Sequence, residues 1–292
     1  MASETTEWTV RRVLDWTIGY LKEHGSESPR LEAEVLLAHA CGWPRIKLYT
    51  HFEDALSPDV RSRMRELVKR RGAREPVAYL VGYREFFSLK FEVGPGVFIP
   101  RPETETLVLE SLEALKTCGH QNPRVLDLCT GSGAVGVSIA VNSRSASVIC
   151  IDQNDAPAAF AAKNAENHSV AERVTVLQGD LFEPLAADAT FHVIACNPPY
   201  VTTPEIERLD ADVKSYEPHA ALDGGPDGLD VLRRIMQEAS SRLVPGGAIL
   251  FELSPEQGEP AQQILREAGF TDVSAVKDLF GVVRVIKGRR SA

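Results

Sequence analysis

Asn197, Pro198, Pro199 and Tyr200 close the apolar run "FHVIAC", and their types suit the handling of a planar nitrogen. Two consecutive prolines fix φ and remove two backbone donors, so the turn is stiff and presents what stands at its start. An amide or aromatic-ring amine is a poor nucleophile, because its lone pair is delocalised. Such a nitrogen needs placement, and acceptors aimed at its two N–H bonds. The Asn197 side-chain oxygen and the Pro198 carbonyl can be those acceptors. They hold the nitrogen in line with a donor, which is proximity catalysis. They also stabilise the positive charge that grows on it. The Tyr200 ring adds an apolar, π-rich wall.

A donor site lies earlier, in "VLDLCTGSGAVGVSIA", which reads as strand, glycine-rich turn and helix. Gly131, Gly133 and Gly136 satisfy the dinucleotide fingerprint G-x-G-x-x-G. Asp152 ends the next strand, about 20 residues on, where a carboxylate holds ribose hydroxyls. A nicotinamide cofactor fits that far. Asp127 argues against it, since a carboxylate at this strand end repels a pyrophosphate docked on the helix N-terminus. It suits a ligand with positive charge and no phosphate, and S-adenosylmethionine carries a sulfonium and an ammonium. Asp180 in "QGDLF" can then accept from the adenine amino group, with Leu181 or Phe182 covering the ring. These carboxylates fall at successive strand ends, where open α/β sheets bind ligands. A dehydrogenase is disfavoured by Asp127. A non-catalytic binding scaffold is disfavoured by the intact acceptor turn.

The elements that must position these residues follow from periodicity. Val10, Val13, Leu14, Thr17, Ile18 and Leu21 recur at helical spacing, and Gly25 is a stop signal. "PRLEAEVLLAHACGW" is a second helix. "SPDVRSRMRELVKRRGA" is a third, with Ser57 as N-cap, Pro58 at its first position and Gly72 after its end. "EPVAYLVG" adds a short fourth. "REFFSLKFEVGPGVFIP" alternates, is broken by Gly-Pro-Gly, and reads as a connecting hairpin. Beyond it helices alternate with the strands "RVLDLC", "SVICID", "RVTVLQGD", "FHVIACN", "AILFEL" and "VVRVIKG". That grammar predicts an α/β class, with a doubly wound, mostly parallel sheet. The expected division is a helical bundle over 1–82, a β-hairpin linker over 83–100 and a catalytic domain over 101–292.

Hydrophobic content of 43% and charged content of 25% are those of a globular protein in water. No apolar run reaches the length of a membrane span, and the N-terminus lacks the apolar core of a signal peptide. The expectation is a cytoplasmic protein without a membrane partner. Cys41, Cys118, Cys129, Cys150 and Cys196 form no CxxC pair and no zinc spacing, so reduced thiols and no metal are expected. The net charge of −9 is uneven: residues 1–90 hold 15 Lys and Arg against 13 Asp and Glu, whereas residues 91–292 hold 17 against 28. An acidic larger half binds phosphate backbones poorly, so no stable nucleic-acid partner is expected. Arg61, Arg63, Arg65, Lys69, Arg70, Arg71 and Arg74 cluster, either as a solvated helix face or as a contact for an acidic protein surface or for RNA on a bound partner.

A [DN]-P-P-[YF] turn is typical of methyltransferases that modify planar nitrogen. The wider chain resembles the PrmC/HemK family, the peptide chain release factor glutamine N5-methyltransferases. The resemblance rests on "EPVAYLVGYREFFSLKFEVGPGVFIPRPETETLV", "VLDLCTGSGAVGVSIA", "GDLFEPL", "ACNPPYV" and "YEPHAALDGGPDGLD", and covers nearly the whole chain. It implies a Rossmann-like class I S-adenosylmethionine-dependent methyltransferase domain. The implied substrate is the glutamine of the GGQ loop in class I release factors of translation termination, gripped in part by the N-terminal bundle. It also implies that Cys129, Thr130, Gly131, Ser132 and Gly133, with Asp152 and Leu181, line the methyl donor's pocket. Asn197, Pro198, Pro199 and Tyr200 would hold the glutamine amide, with Phe98, Arg101 and Glu103 near the entrance. The alternative is N-methylation of a flipped adenine (N6) or guanine (N2) by the same turn. The acidic larger half and the lack of a separate base-recognition domain weigh against it. One departure stands out: the family usually has glycine at position 129. If that position needs positive φ, the cysteine adds strain.

Overall fold

The computed structural model describes residues 7–291. Two compact units divide the chain. One holds the chain up to Gly82 together with Ala211–Tyr216, and the other holds Tyr83–Asp210 and the chain from Glu217 onward.

The first unit is helical: α1 (Val10–Glu23), α2 (Pro29–Cys41), α3 (Ile46–Thr50), α4 (Pro58–Gly72) and α5 (Val77–Val81). Thr9 and Ser57 cap α1 and α4 by accepting from the amides of Arg12 and Val60. Both bonds satisfy orphan donors of a first turn. Val10, Leu14 and Leu21 of α1 are buried, as are Leu36 and Leu37 of α2 and Met64 and Val68 of α4. The basic run is divided by its partners. Arg71 is buried and grips Glu32 through two hydrogen bonds of 2.8 and 2.9 Å. Arg70 pairs with Glu75, and Arg74 with Asp212. Tyr216 donates its hydroxyl to the Ala73 carbonyl at 2.8 Å. Arg63, Arg65 and Lys69 stay on the exposed face.

The second unit opens with the antiparallel hairpin β1 (Tyr83–Phe86) and β2 (Leu89–Glu92). Its turn is Phe87–Ser88, at φ of 50° and 60°, which is the mirror-image turn that suits strand twist. Gly94-Pro95-Gly96 follows the hairpin and does not form its turn. Next come α6 (Glu105–Cys118), β3 (Arg124–Leu128), α7 (Ala134–Asn142), β4 (Ser147–Asp152), α8 (Asp155–Asn167), β5 (Val174–Gln178) and β6 (Phe191–Cys196). The chain continues through α9 (Thr203–Ile206), α10 (Ala211–Tyr216, packed in the first unit), α11 (Asp230–Met236) and α12 (Ala239–Arg242). It ends with β7 (Leu243–Glu252), α13 (Gly258–Glu267), β8 (Phe270–Lys277) and β9 (Val283–Arg290).

Seven strands form one sheet in the order β5-β4-β3-β6-β7-β9-β8. The strands from β3 to β7 pair in parallel, and β9 runs antiparallel to both β7 and β8. This is the doubly wound, Rossmann-like arrangement. β8 was not legible as a strand: it is an edge strand with half its residues exposed. Successive residues of β3 enter opposite cores, Val125 with Leu107 and Ile139, Leu126 with Ile249 and Phe251. A sheet covered on both faces therefore reads as continuous apolar runs. The order reverses at β3, flanked by β4 and β6. Ligands of open α/β sheets sit outside the carboxyl ends of such strands. Among the described residues no helix is long and apolar enough to cross a membrane.

Candidate active site

A cavity of about 410 Å³ opens at those carboxyl ends, within the range of small-molecule sites. Asp127, Cys129, Thr130, Gly131 and Ser132 line it from the glycine-rich turn, and Asp152 from the end of β4. Asp180 and Leu181 join from the loop after β5, Asn197, Pro198, Pro199 and Tyr200 from the loop after β6, and Phe98 from the stretch before α6. Gly133, Arg101 and Glu103 are not in the lining.

The glycine-rich turn is held by the two carboxylates expected to serve the ligand. Asp127 Oδ2 accepts from the Thr130 hydroxyl at 2.5 Å and the Gly136 amide at 2.9 Å. Asp152 Oδ2 accepts from the Gly131 amide at 3.0 Å. Burial pushes the Asp127 carboxyl up to about 7 and also raises that of Asp152. Asp127 therefore buttresses the turn as well as giving the cavity its acidic character. Gly133 takes φ of 80° where α7 begins, and a Cβ there would come within 3.1 Å of the Ala161 backbone. A Cβ on Gly136 would collide with Cys150 Sγ and approach Asp127 Oδ2 at 2.9 Å. Its bareness lets the helix pack on the strand.

Cys129 takes φ of 56°, so the cysteine does sit where glycine is the unstrained choice. Its thiol lies beside that of Cys196. Burial first, and this neighbour second, push the Cys196 thiol well above its ordinary range.

The acceptor turn starts next to the donor turn, because Leu128 and Cys196 are register partners across β3 and β6. Asn197 Nδ2 donates to Thr104 Oγ1 at 3.3 Å, which leaves Oδ1 as the acceptor of that amide. The Tyr200 hydroxyl donates to Glu252 Oε1 at 3.2 Å, and burial holds its pKa high. The Tyr200 carbonyl accepts from Gln257 Nε2 at 2.7 Å, and the same nitrogen reaches the Asp227 carbonyl at 3.0 Å. Val201 exchanges backbone hydrogen bonds with Leu222 and Gly224. A Cβ on Gly224 would lie 2.6 Å from the Pro199 carbonyl oxygen, which explains a glycine where that backbone passes. The "DGGPDG" stretch thus braces the turn, and Pro218–Asp223 add to the cavity wall.

Other expected residues have partners of their own. Asp180 pairs with Arg234 at 2.5 Å, so an adenine amino group would share this carboxylate with a guanidinium. Arg101 is ion-paired with the buried Glu217, and its guanidinium lies 4.7 Å over the Phe98 ring. It shapes the cavity wall through Phe98. Glu103 lies in the 3₁₀ turn Pro102–Thr104, half-buried. Thr104, Gln257 and Glu252 went unnoticed in the sequence. Glu252 carried a signal, an acid ending the apolar strand "AILFE"; Thr104 and Gln257 carried none.

The charges suit a cationic, phosphate-free ligand. Asp127, Asp152, Asp180 and Asp223 line the cavity, and the guanidinium of Arg234 is taken up by Asp180. Ser132 Oγ is buried without a hydrogen-bond partner, a polar group that a ligand can satisfy.

Comparison with known proteins shows the family and the fold. Residues 12–82 match the family model described as PrmC N-terminal domain, and residues 89–211 match the methyltransferase small domain. A release factor glutamine methyltransferase of Rhodopirellula baltica is 42% identical over 292 residues, covering 99% of each chain. One of Geobacter sulfurreducens is 44% identical over 289 residues, again covering 99% of each. A solved methyltransferase structure from Pyrococcus furiosus, 19% identical, has a TM-score of 0.52 and covers 70% of this chain and 91% of its own.

Proposed function

The chain belongs to the release factor glutamine methyltransferase family, and from that premise we propose how its residues carry the activity. The enzyme methylates the side-chain nitrogen of a glutamine in the GGQ loop of class I release factors. S-adenosylmethionine, when bound, would supply an electrophilic methyl on a sulfonium; forming the N–CH3 bond would break the S–CH3 bond, leave a neutral thioether on the donor and release one amide proton. The turn from Cys129 to Gly133 and the carboxylates Asp127 and Asp152 hold that donor. Asp180 and Leu181 border its adenine end. Asn197 Oδ1 and the Pro198 carbonyl accept the two N–H bonds of the glutamine amide. Those bonds orient the nitrogen and strengthen as positive charge grows on it. Pro199 keeps the turn stiff, and Tyr200 and Phe98 wall the amide from water. Arg101 and Glu103 flank the entrance. Substrate recognition falls to the helical unit, through the exposed Arg63, Arg65 and Lys69.

One observation carries the proposal: the register of β3 and β6 starts the donor turn and the acceptor turn at one cavity. The test is incubation with labelled S-adenosylmethionine and, separately, a release factor, duplex DNA and RNA. Label on a release-factor glutamine is the expected result. Label on nucleic acid, or on no glutamine, overturns the proposal.

A further inference from the structure

Among the described residues, the two most exposed large apolar side chains are neighbours in the chain: Leu279 at 98% and Phe280 at 90%. They occupy the turn between β8 and β9. The turn itself does not need them. The Asp278 amide donates to the Val282 carbonyl at 2.8 Å, and the Gly281 amide to the Asp278 carbonyl at 3.0 Å. Asp278 Oδ1 accepts from the Phe280 and Val282 amides at 2.9 and 3.0 Å, and Oδ2 accepts from Arg284 Nε at 3.2 Å. Gly281 takes φ of 80°, a left-handed conformation that glycine adopts freely. These bonds run through backbone, Asp278 and Arg284, so polar side chains at 279 and 280 would serve the turn equally well.

The turn stands at the edge of the sheet that carries the cavity. β9 is antiparallel to β7, and β8 is antiparallel to β9, so β8 ends and β9 begins where the parallel strands end. Glu252, which anchors the Tyr200 hydroxyl, is the register partner of Val285. The next amide, that of Leu253, donates to the Arg284 carbonyl at 3.0 Å. Arg284 in turn holds Asp278 at the base of the turn. Two strand spacings separate β6 from β9, about 10 Å. A standard protein interface covers about 800 Å² on each partner, a patch of roughly 16 Å radius. A patch of that size centred on the cavity mouth reaches the start of β9 and its turn.

We propose that Leu279 and Phe280 form an apolar docking tip for the release factor, meeting the protein surface around its GGQ loop while the glutamine occupies the cavity. This rests on the reading of a release factor as the substrate. Removing apolar surface from water is the dominant favourable contribution to most protein association. A tip already held in shape by its own hydrogen bonds loses little conformational freedom on binding. Neither residue lines the cavity, so the pair acts on affinity for the protein substrate and leaves the chemistry alone. It adds an apolar contact in the second unit to the charged face of the helical unit.

The test uses the full chain, the double variant Leu279→Ser/Phe280→Ser and the conservative double variant Leu279→Met/Phe280→Leu. Measured quantities are kcat and KM on an intact release factor, the affinity for S-adenosylmethionine by calorimetry, Tm, and sedimentation of the enzyme alone. The serine variant should raise KM about 10-fold or more, the scale of lost anchor residues in an interface. Its kcat should hold, the signature of binding shared by ground state and transition state. Donor affinity and Tm should hold too, because both side chains are almost wholly exposed. The conservative variant should stay near the wild-type KM. An unchanged KM in the serine variant, a conservative variant as weak as the serine one, or a loss of kcat or donor affinity in step with KM would each overturn the proposal. So would a wild-type dimer that the serine variant abolishes, since a second copy of the chain would then cover the tip. A wild-type enzyme unable to methylate the release factor strikes the functional reading itself. An active wild type and a serine variant of equal KM strike the docking tip alone.

Discussion

Leu128 and Cys196 are partners in the parallel pairing of β3 and β6, so Cys129 and Asn197 leave the sheet side by side. Neighbouring strands lie about 4.8 Å apart. The sheet itself thus sets the spacing between the glycine-rich turn and the Asn197–Tyr200 turn, which we propose hold the methyl donor and its acceptor. Three braces hold the acceptor turn: Thr104 on Asn197, Gln257 on the Tyr200 carbonyl and Glu252 on the Tyr200 hydroxyl.

Asn197→Ala removes one acceptor and leaves the donor turn intact. It should lower kcat by roughly 100- to 1000-fold, while the affinity for S-adenosylmethionine survives. Single-turnover kinetics and calorimetry measure the two separately. Lost donor binding with normal residual turnover would contradict the assignment.

Cys129→Gly should stabilise the protein, because φ of 56° suits glycine. A left-handed conformation costs an ordinary residue about 1–2 kcal/mol, and glycine's greater freedom when unfolded offsets about half of that. A net gain of about 0.5–1 kcal/mol is expected in urea melts. A destabilised variant would mean that the contact between the Cys129 and Cys196 thiols outweighs the strain.

Stability of the ligand-free protein should fall as pH rises from about 5 to about 7. Burial raises the Asp127 carboxyl to about 7 in the folded state. The folded form therefore holds a proton that the unfolded chain releases at lower pH, and this advantage disappears as pH climbs through the folded value. Glu252, also raised to about 7, acts in the same direction. Asp227, lowered to about 2 by Arg233, acts in a more acidic range. Asp127→Asn should flatten the slope of Tm against pH in this window. A Tm that rises with pH there, or an unchanged slope in the variant, would refute the sign.

Reversing the charge of Arg63, Arg65 and Lys69 should raise KM for the release factor and leave kcat and donor affinity unchanged. All three side chains are exposed, so folding should not suffer. Steady-state kinetics on intact release factor make the check, and an unchanged KM would return this face to solvent.

Much of this site was legible in the sequence for one physical reason. An acid or amide that ends an apolar strand is conspicuous, so Asp127, Asp152 and Asn197 stood out, and all three line the cavity; that the two carboxylates also hold the glycine-rich turn was not legible. Glu252 ends β7 in the same way and could have been read alike. Thr104 and Gln257 could not. They reach the acceptor turn from 93 and 57 residues away in the chain, and a lone threonine or glutamine fits any polar position. Arg101 was expected near the entrance from the family resemblance; it does not line the cavity, and its pairing with the buried Glu217 places it over the Phe98 ring instead. In the fold, the covered parallel strands were plain as apolar runs. β8 was hidden because an edge strand keeps polar residues such as Thr271, Asp272 and Ser274. The hairpin turn was misjudged because Gly94-Pro95-Gly96 is a strong breaker, whereas Phe87–Ser88 adopts positive φ without a glycine.

The most direct measurement is tandem mass spectrometry of a release factor after turnover with this enzyme and S-adenosylmethionine. A single methyl on the side-chain nitrogen of the GGQ glutamine, absent with Asn197→Ala, is the predicted result. A methyl on any other residue, or an unmodified glutamine after turnover by the wild-type enzyme, would contradict it.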